Sequence, residues 1–386
     1  HGVEQMLAQR VYGLALGYED LNDHDQLRRD PLMGVLAGKQ EPDQPLASKS
    51  TLCRLDRTPA TGAERDRYKK VRYDAEAIDR LLLDVFMDAH PEAPQQVVLD
   101  LDVTDTPLHG HQEGRFFHGF YDQYCYLPLY IFCEDQLLAV RLREANQDAS
   151  AGSLEEVQRI VARLRNRWPK LKIILRADSG FCREELMRWG EENRVDYVFG
   201  LARNHRLRRR IGKAMRRAKA EAKRTGRAAR VYTEFRYRTR QSWSRARRVI
   251  AKAEQMEGKE NPRYVVTSLA ASAHRPRALY EDLYCARGEM ENRIKEQLLL
   301  FADRMSAETM RANQLRLYLS AAAYVLIEAL RRLALKGTEM ARAQVNTIRL
   351  RLLKIGAQLR FTARRIWVSM ASGYPVSYTH LRAHET

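Results

Sequence analysis

Three acidic side chains stand out by residue type and local setting. Asp102 lies in L-D-V-T, Asp178 in R-A-D-S-G and Glu291 in G-E-M-E-N, separated by 76 and 113 residues. Only a folded chain can bring them together. Hard carboxylate oxygens on strand ends and a helix suit two divalent ions about 4 Å apart, which activate a water or a 3′-hydroxyl and stabilise the leaving oxygen of an in-line phosphoryl transfer. Each acid also has a plainer reading. An Asp at a strand end caps the adjoining turn, and Glu291 can pair with Lys295 one helical turn on. Asp100 and Asp105 compete with Asp102 for the first position.

The surrounding pattern supplies elements to carry them. In QVVLDLDV, Val97, Leu99, Leu101 and Val103 alternate with Asp100 and Asp102, the period of a half-buried strand. YCYLPLYIF reads as a second strand and LLAVRLR as a third. A helix is expected from Ser153, with Ser153 and Glu156 forming a capping box and Val157, Ile160, Val161 and Leu164 an apolar stripe. KIILRAD, a helix over about 183–193 and the strand DYVFGLA complete the run. The order β-β-β-α-β-α-β implies an α/β fold with a mixed sheet, the order an RNase H-like core uses. Residues 1–95 read as helical, 201–264 as an insertion with its own small sheet, and the chain returns to helices over 279–335 and 339–371.

Charge marks the segment that interrupts this pattern. The 386-residue chain has a net charge of +18, and residues 201–250 hold 19 Lys/Arg against only Glu221 and Glu234. The remainder is close to neutral. Such a block, beginning LARNHRLRRRIGKAMRRAKAEAKRTGR, points to a polyanion, and a nucleic-acid backbone fits it best. A membrane surface fits poorly, since the stretch lacks a large apolar face. The most apolar run, Leu315–Leu335, carries Arg316, Glu328, Arg331 and Arg332, so it reads as a core helix. Five scattered cysteines without a CxxC pair argue for a reducing, intracellular setting and against a cysteine-built zinc site.

Longer motifs carry a resemblance. GYEDLNDHDQLRRDP, LDLDVTDTPLHGHQEGRFFHGFYDQYCYLPL, RADSGF, YCARGEMENRIKE, DRMSAETMRANQLRL and LRLLKIGAQLRFTARRIWV occur in this order from Gly17 to about residue 375. In them the chain resembles the DDE-type transposases of bacterial insertion sequences, and within these insertion-sequence family 1380, related to the hairpin-forming transposases. The resemblance implies that Asp102, Asp178 and Glu291 form a triad holding two Mg²⁺ ions, with Mn²⁺ as a substitute. It implies DNA contact by Tyr284 and Arg287, which fit the start of a Y-x2-R-x3-E-x6-K signature. Leu298 stands where that signature ends in lysine, and Lys295 is the nearby replacement. Trp243, flanked by Arg240 and Arg245, is the candidate to stack on a flipped base, with packing in a sheet as its alternative. Arg208, Arg209 and Arg210 are expected on the DNA backbone. His109 and His111 are expected to bond within their loop, while Asn313, Gln314 and Arg316 fit core packing and DNA contact equally.

The implied activity is cut-and-paste transposition: binding of the element's terminal inverted repeats, cleavage, and joining of the 3′-hydroxyl to target DNA, by a homodimer on paired ends in the bacterial cytoplasm. The rivals are a DNA-binding remnant without catalysis and a structure-specific nuclease. The expected division is a helical N-terminal region (1–95), a catalytic core in two parts (96–200 and 265–335), the basic insertion (201–264) and a helical C-terminal region (336–374). Residues 375–386, PVSYTHLRAHET, match the translation of a sequencing-library adapter and are expected to be a read-through artefact, with the natural protein truncated at both ends.

Overall fold

A computed structural model describes residues 1–39, 44–57, 71–362 and 364–371. The expected adapter stretch, 375–386, lies outside the described residues.

The strands in chain order are β1 (Gln96–Val103), β2 (Thr106–Pro107), β3 (Phe116–His118), β4 (Gln123–Tyr126), β5 (Leu129–Cys133), β6 (Gln136–Arg141), β7 (Lys172–Ala177), β8 (Asp196–Leu201), β9 (Ala229–Tyr237), β10 (Arg247–Met256), β11 (Lys259–Glu260), β12 (Arg263–Thr267), β13 (Ala357–Phe361) and β14 (Ile366–Met370). Nine of them form one mixed sheet in the order β11-β10-β12-β8-β7-β1-β5-β6, with β9 also paired to β10. Within it β1 is antiparallel to β5 and parallel to β7, and β7 is parallel to β8. Helices cover both faces, as apolar side chains on both sides of the strands require. Leu99, Leu101 and Leu175 pack with Val157, Ile160 and Leu164 of the helix Ser153–Arg167. On the opposite side Tyr130, Phe132 and Val140 pack with Met290 and Ile294 of the helix Gly288–Leu299 and with the long helix Met310–Leu333. That long helix is the expected core helix. Among the described residues no helix is long and apolar enough to cross a membrane.

Four sequence expectations need correction. The strand expected over YCYLPLYIF is broken at Pro128: β4 joins β2 and β3 in a small separate sheet, whereas β5 belongs to the main one. Proline has no N–H to donate to a ladder, so pairing cannot run through it. Ser153 does not cap its helix. Gly152, with φ of 71°, takes the cap position, Ser153 Oγ donates to the Ser150 carbonyl at 2.6 Å, and Glu156 is held by Arg141 and Arg159.

The strands of residues 201–264 do not form a sheet of their own. β12 pairs antiparallel with β8, from Tyr264↔Leu201 to Thr267↔Val198, so β9–β12 extend the main sheet. The edge of β12 that an isolated sheet would leave open is satisfied by β8. Finally, the helix expected over 339–371 is confined to short turns ending at Leu353, and β13 and β14 pair as a hairpin. In AQLRF half-buried and exposed residues alternate with the period of a strand, which outweighs the helical reading.

Candidate active site

Parallel pairing sets the first two acids side by side. Leu101 and Ala177 are register partners in β1 and β7, and the next residue of each strand is Asp102 and Asp178. Asp178 begins a tight turn, accepting the Gly180 N–H through Oδ1 at 2.8 Å. Asp102 Oδ1 accepts the Val103 N–H at 2.9 Å, leaving Oδ2 turned to the neighbouring helical segment. The competitors for its place are occupied elsewhere. Asp100 is buried and receives two hydrogen bonds, at 2.5 and 2.7 Å, from Arg176, its register partner on β7. Asp105 accepts from Gln123 at 2.5 Å.

The third acid arrives on the helical segment after β12. It runs as a wide i→i+5 turn over Leu279–Tyr284, a tight turn over Cys285–Arg287 and then the helix Gly288–Leu299. Departures from regular helix of this kind re-aim side chains and recur at functional sites. Here they aim Tyr284 and Arg287 at the strand ends. Arg287 Nη1 donates to Asp102 Oδ2 and its Nη2 to Glu291 Oε1, both at 2.8 Å. One guanidinium therefore bridges the strand-borne acid and the helix-borne one. Sequence spacing offers the i−4 pairing with Glu291, but nothing in it signals the bond to Asp102. Tyr284 extends its hydroxyl over Gly200 at the end of β8, where a Cβ would lie 2.6 Å from that oxygen and 2.9 Å from the Ser179 nitrogen.

Burial governs the electrostatics. It pushes the Asp102 carboxyl up to about 6, opposed by Arg287 and by the Val103 N–H and reinforced by the charges of Asp178 and Glu291. Burial also works against the Arg287 charge, but Asp102, Tyr284, Glu291 and Asp178 together raise its pKa. The pair is thus ionised at neutral pH, and the carboxylate is the member that gives way on acidification. Three carboxylates form a hard-oxygen donor set of the type that takes Mg²⁺ or Mn²⁺. Among the described residues, however, no group of three or more acidic, His or Cys side chains is already gathered around one ion-sized position. The Arg287 guanidinium stands between Asp102 and Glu291, and the donor chemistry of the three carboxylates fits a divalent ion while their present arrangement is held by that cation.

Other expected contacts divide. Arg209, Arg210 and Arg240 are exposed and have no ion-pair partner among the described residues. Lys295 is exposed one turn beyond Glu291, also without such a partner. Arg208 is exposed but paired with Glu260 at 3.2 Å. Arg245 donates to Glu191 at 2.8 Å through Nε. Trp243 is 3% exposed, set edge-on to Tyr237 with the Arg247 guanidinium over its ring. Its packing alternative is the one the fold adopts, since a ring enclosed in the core offers no face to a base. Asn313 bonds both backbone groups of Ala307, and Gln314 accepts from Leu142 N at 2.7 Å, so both are structural. Arg316 is likewise turned inward, to the Arg304 carbonyl and Ser306. Gln112 ties its loop to Met305, and His109 and His111 are exposed.

Two acids thus end adjacent parallel strands, and a third faces them from a helix through the shared Arg287. Comparison gives the family. The sequence matches the family described as Transposase DDE domain group 1 over residues 1–385, and the chain belongs to it. No curated protein matches the chain. Among solved structures, a cryo-EM structure of the piggyBac transposase synaptic complex with hairpin DNA is similar with a TM-score of 0.40 at 11% identity, over 91% of this chain and 79% of that one.

Proposed function

We propose that this protein is the transposase of a bacterial insertion sequence, which binds the terminal inverted repeats of its element, cuts the DNA at their ends and joins the freed 3′-hydroxyl to target DNA. The observation that carries the reading is the placement of Asp102 and Asp178 at the ends of adjacent parallel strands, with Arg287 joining Asp102 to Glu291. The strand order β6-β5-β1-β7-β8, with its two antiparallel and two parallel pairings, supports an RNase H-like catalytic core. That core comprises residues 96–200 and 265–335, with 201–264 as a basic insertion, 1–95 as an end-binding region and 336–374 as a C-terminal region.

Asp102, Asp178 and Glu291 would hold two divalent ions, Mg²⁺ or in its place Mn²⁺. When bound, these supply Lewis-acid activation of the attacking oxygen and neutralise charge at the phosphate. Everything else falls to the chain's own groups. Arg287, released from its two carboxylates, is placed to donate both Nη groups to a phosphate in a bidentate pair. Lys295 adds a point charge on the same helical face. The Asp178–Gly180 bond fixes one acid before any substrate arrives, which limits the reorganisation needed at the moment of reaction. Arg208, Arg209, Arg210 and Arg240 would bind backbone phosphates by charge alone, independent of sequence. The reading includes a homodimer on paired DNA ends and a hairpin intermediate.

The test is cleavage of labelled duplex carrying the element's own end, with Mg²⁺ and with EDTA. Metal-dependent nicking, then joining to a target, supports transposition. Cutting without joining makes the protein a nuclease, and binding without cutting leaves only a DNA-binding protein.

A further inference from the structure

The main sheet ends in β9, which pairs with β10 along its whole length, from Ala229↔Gln255 to Tyr237↔Arg247, and with no strand on its other side among the described residues. Its two faces are taken. Val231, Phe235 and Tyr237 turn into the core that holds Ala214 and Met215 of the helix Gly212–Thr225. On the other face the Tyr232 hydroxyl donates to Glu281 at 2.8 Å. Only the outer edge is open, and its backbone groups find no backbone partner among the described residues. A long open edge is a template for another strand, and chains that reject such pairing place proline or like charges along it.

β9 does neither. Arg230, Glu234 and Arg236 are exposed, and the last two put an acid and a base side by side on one face. A two-fold axis through the sheet sets a strand against an antiparallel copy of itself, so the choice of central residue fixes every opposed pair. Centring on Thr233 sets Arg230 against Arg236, and centring on Glu234 or Arg236 sets that residue against itself. Like charges directly opposite are destabilising. Centring on Phe235 sets Glu234 against Arg236 of the second copy, twice by symmetry, with the two Phe235 rings opposed on the other face.

The side chains suit that register. Arg248 reaches Glu234 through Oε2 alone, at 2.9 and 2.6 Å, so Oε1 is unengaged among the described residues. Arg236 Nη2 donates to the Ala246 carbonyl at 2.6 Å, and its guanidinium has no carboxylate partner among the described residues. Centring on Tyr232 would oppose Glu234 to Arg230 instead, but Glu254 already holds that guanidinium at 2.5 Å.

Charge controls the approach. Residues 201–250 carry 19 Lys/Arg against two acids, so two arms brought edge to edge repel each other. The repulsion reaches about 10 Å at 0.1 M salt and about 3 Å at 1 M, whereas the Glu234–Arg236 pairs would act at contact. We propose that β9 is the contact surface between two copies of this chain, which pair antiparallel about Phe235 into one continuous sheet once the positive charge of the arms is screened by salt or neutralised by a polyanion. The assignment rests on the proposed function for the use of the pair, two DNA ends held together, and on β9 alone for the contact.

The experiment is sedimentation velocity of the full chain without DNA, at 0.1 and 1 M NaCl. Wild type is expected to be monomeric at the lower salt and dimeric at the higher, with a dissociation constant at least about tenfold smaller. DNA binding by the same arms has the opposite salt dependence. R236E, which would oppose acid to acid, is expected to stay monomeric at 1 M. A second measurement does not depend on that variant. F235C in a C285A background, where the exposed native thiol is absent, is expected to form a disulfide between copies when treated with diamide at 1 M NaCl, because opposed residues have Cβ atoms about 4.5–5.5 Å apart. C285A alone should not. A wild type that stays monomeric at 1 M overturns the surface, as does a dimer that R236E leaves intact and F235C fails to link. A dimer equally tight at both salts overturns the control by charge. None of these results bears on cleavage of the element's ends, which tests the transposase reading separately.

Discussion

The Tyr284 hydroxyl occupies the space that a side chain on Gly200 would fill, 2.6 Å from the position of its Cβ. The contact locks the wide turn that carries Tyr284 and Arg287 onto the end of β8, and so fixes the distance from helix to acids. G200A is therefore expected to lose about 1–3 kcal/mol of stability in urea unfolding and to lose cleavage along with it. Y284F/G200A should recover only part of the stability, because the new methyl group would still lie 2.9 Å from the Ser179 nitrogen.

Asp178→Asn keeps an oxygen for the Gly180 N–H. The turn should survive, and duplex binding should stay within about twofold of wild type. Cleavage in Mg²⁺ should fall about a hundredfold or more, since a neutral amide is a poor ligand for a hard divalent ion. Retention of cutting by D178N in a gel assay would remove Asp178 from the reaction.

Arg287→Gln removes the cation shared by Asp102 and Glu291. In DNA-free protein, Mn²⁺ affinity measured by the loss of its free EPR signal is expected to rise several-fold, because the ion no longer competes with a guanidinium. DNA cleavage is expected to fall, because the same guanidinium is lost to the phosphate. An unchanged Mn²⁺ affinity would show that Arg287 and the ion do not share a place.

Asp102 takes up its proton at about 6 in the folded protein, against an ordinary value of 3.8. The folded state thus binds more protons than the unfolded one between these values. This contribution to stability is fully present below about pH 4 and disappears as pH rises through 6. Over that window, in EDTA, the wild type should lose about 2–3 kcal/mol from this group, the equivalent of two pKa units. D102N should lack that part of the decline in denaturant unfolding monitored by circular dichroism.

Trp243→Ala should cost about 3–5 kcal/mol in unfolding free energy, the range for truncating a large buried aromatic. It should leave the ratio of affinities for hairpin-tipped and blunt DNA unchanged. A selective loss of hairpin binding in a stably folded W243A would mean that the ring leaves the core when DNA binds.

The sequence announces what is local. Alternation in QVVLDLDV marks the strand that carries Asp100 and Asp102, and the spacing of Arg287 and Glu291 puts them on one helical face. Pairing partners are less visible. VYTEFRYRT and RYVVTSLA look strand-like in their branched and aromatic residues, yet nothing in them says that Tyr264 lies against Leu201 rather than within a separate sheet. Arg287 reaches Asp102 across 185 residues through an irregular turn that no simple periodicity encodes. The break at Pro128 is legible, since proline is excluded from a continuous ladder. The cap at Gly152 is masked by a serine and a glutamate with the right spacing but other partners.

The pairing of β12 with β8 has a mechanical consequence. β8 also pairs with β7, which leads directly into Asp178, so an unbroken hydrogen-bonded lattice connects that acid to the arginine-rich arm. The arm behaves as a cantilever rather than as a tethered module on a hinge. Under the proposed function, a DNA strand held by the arm would reach the acids at a length set by strand spacing, about 4.8 Å for each strand crossed. Under the proposed function the sheet would thus set where the protein cuts, and lengthening or shortening the loop before β9 would leave that gauge unchanged.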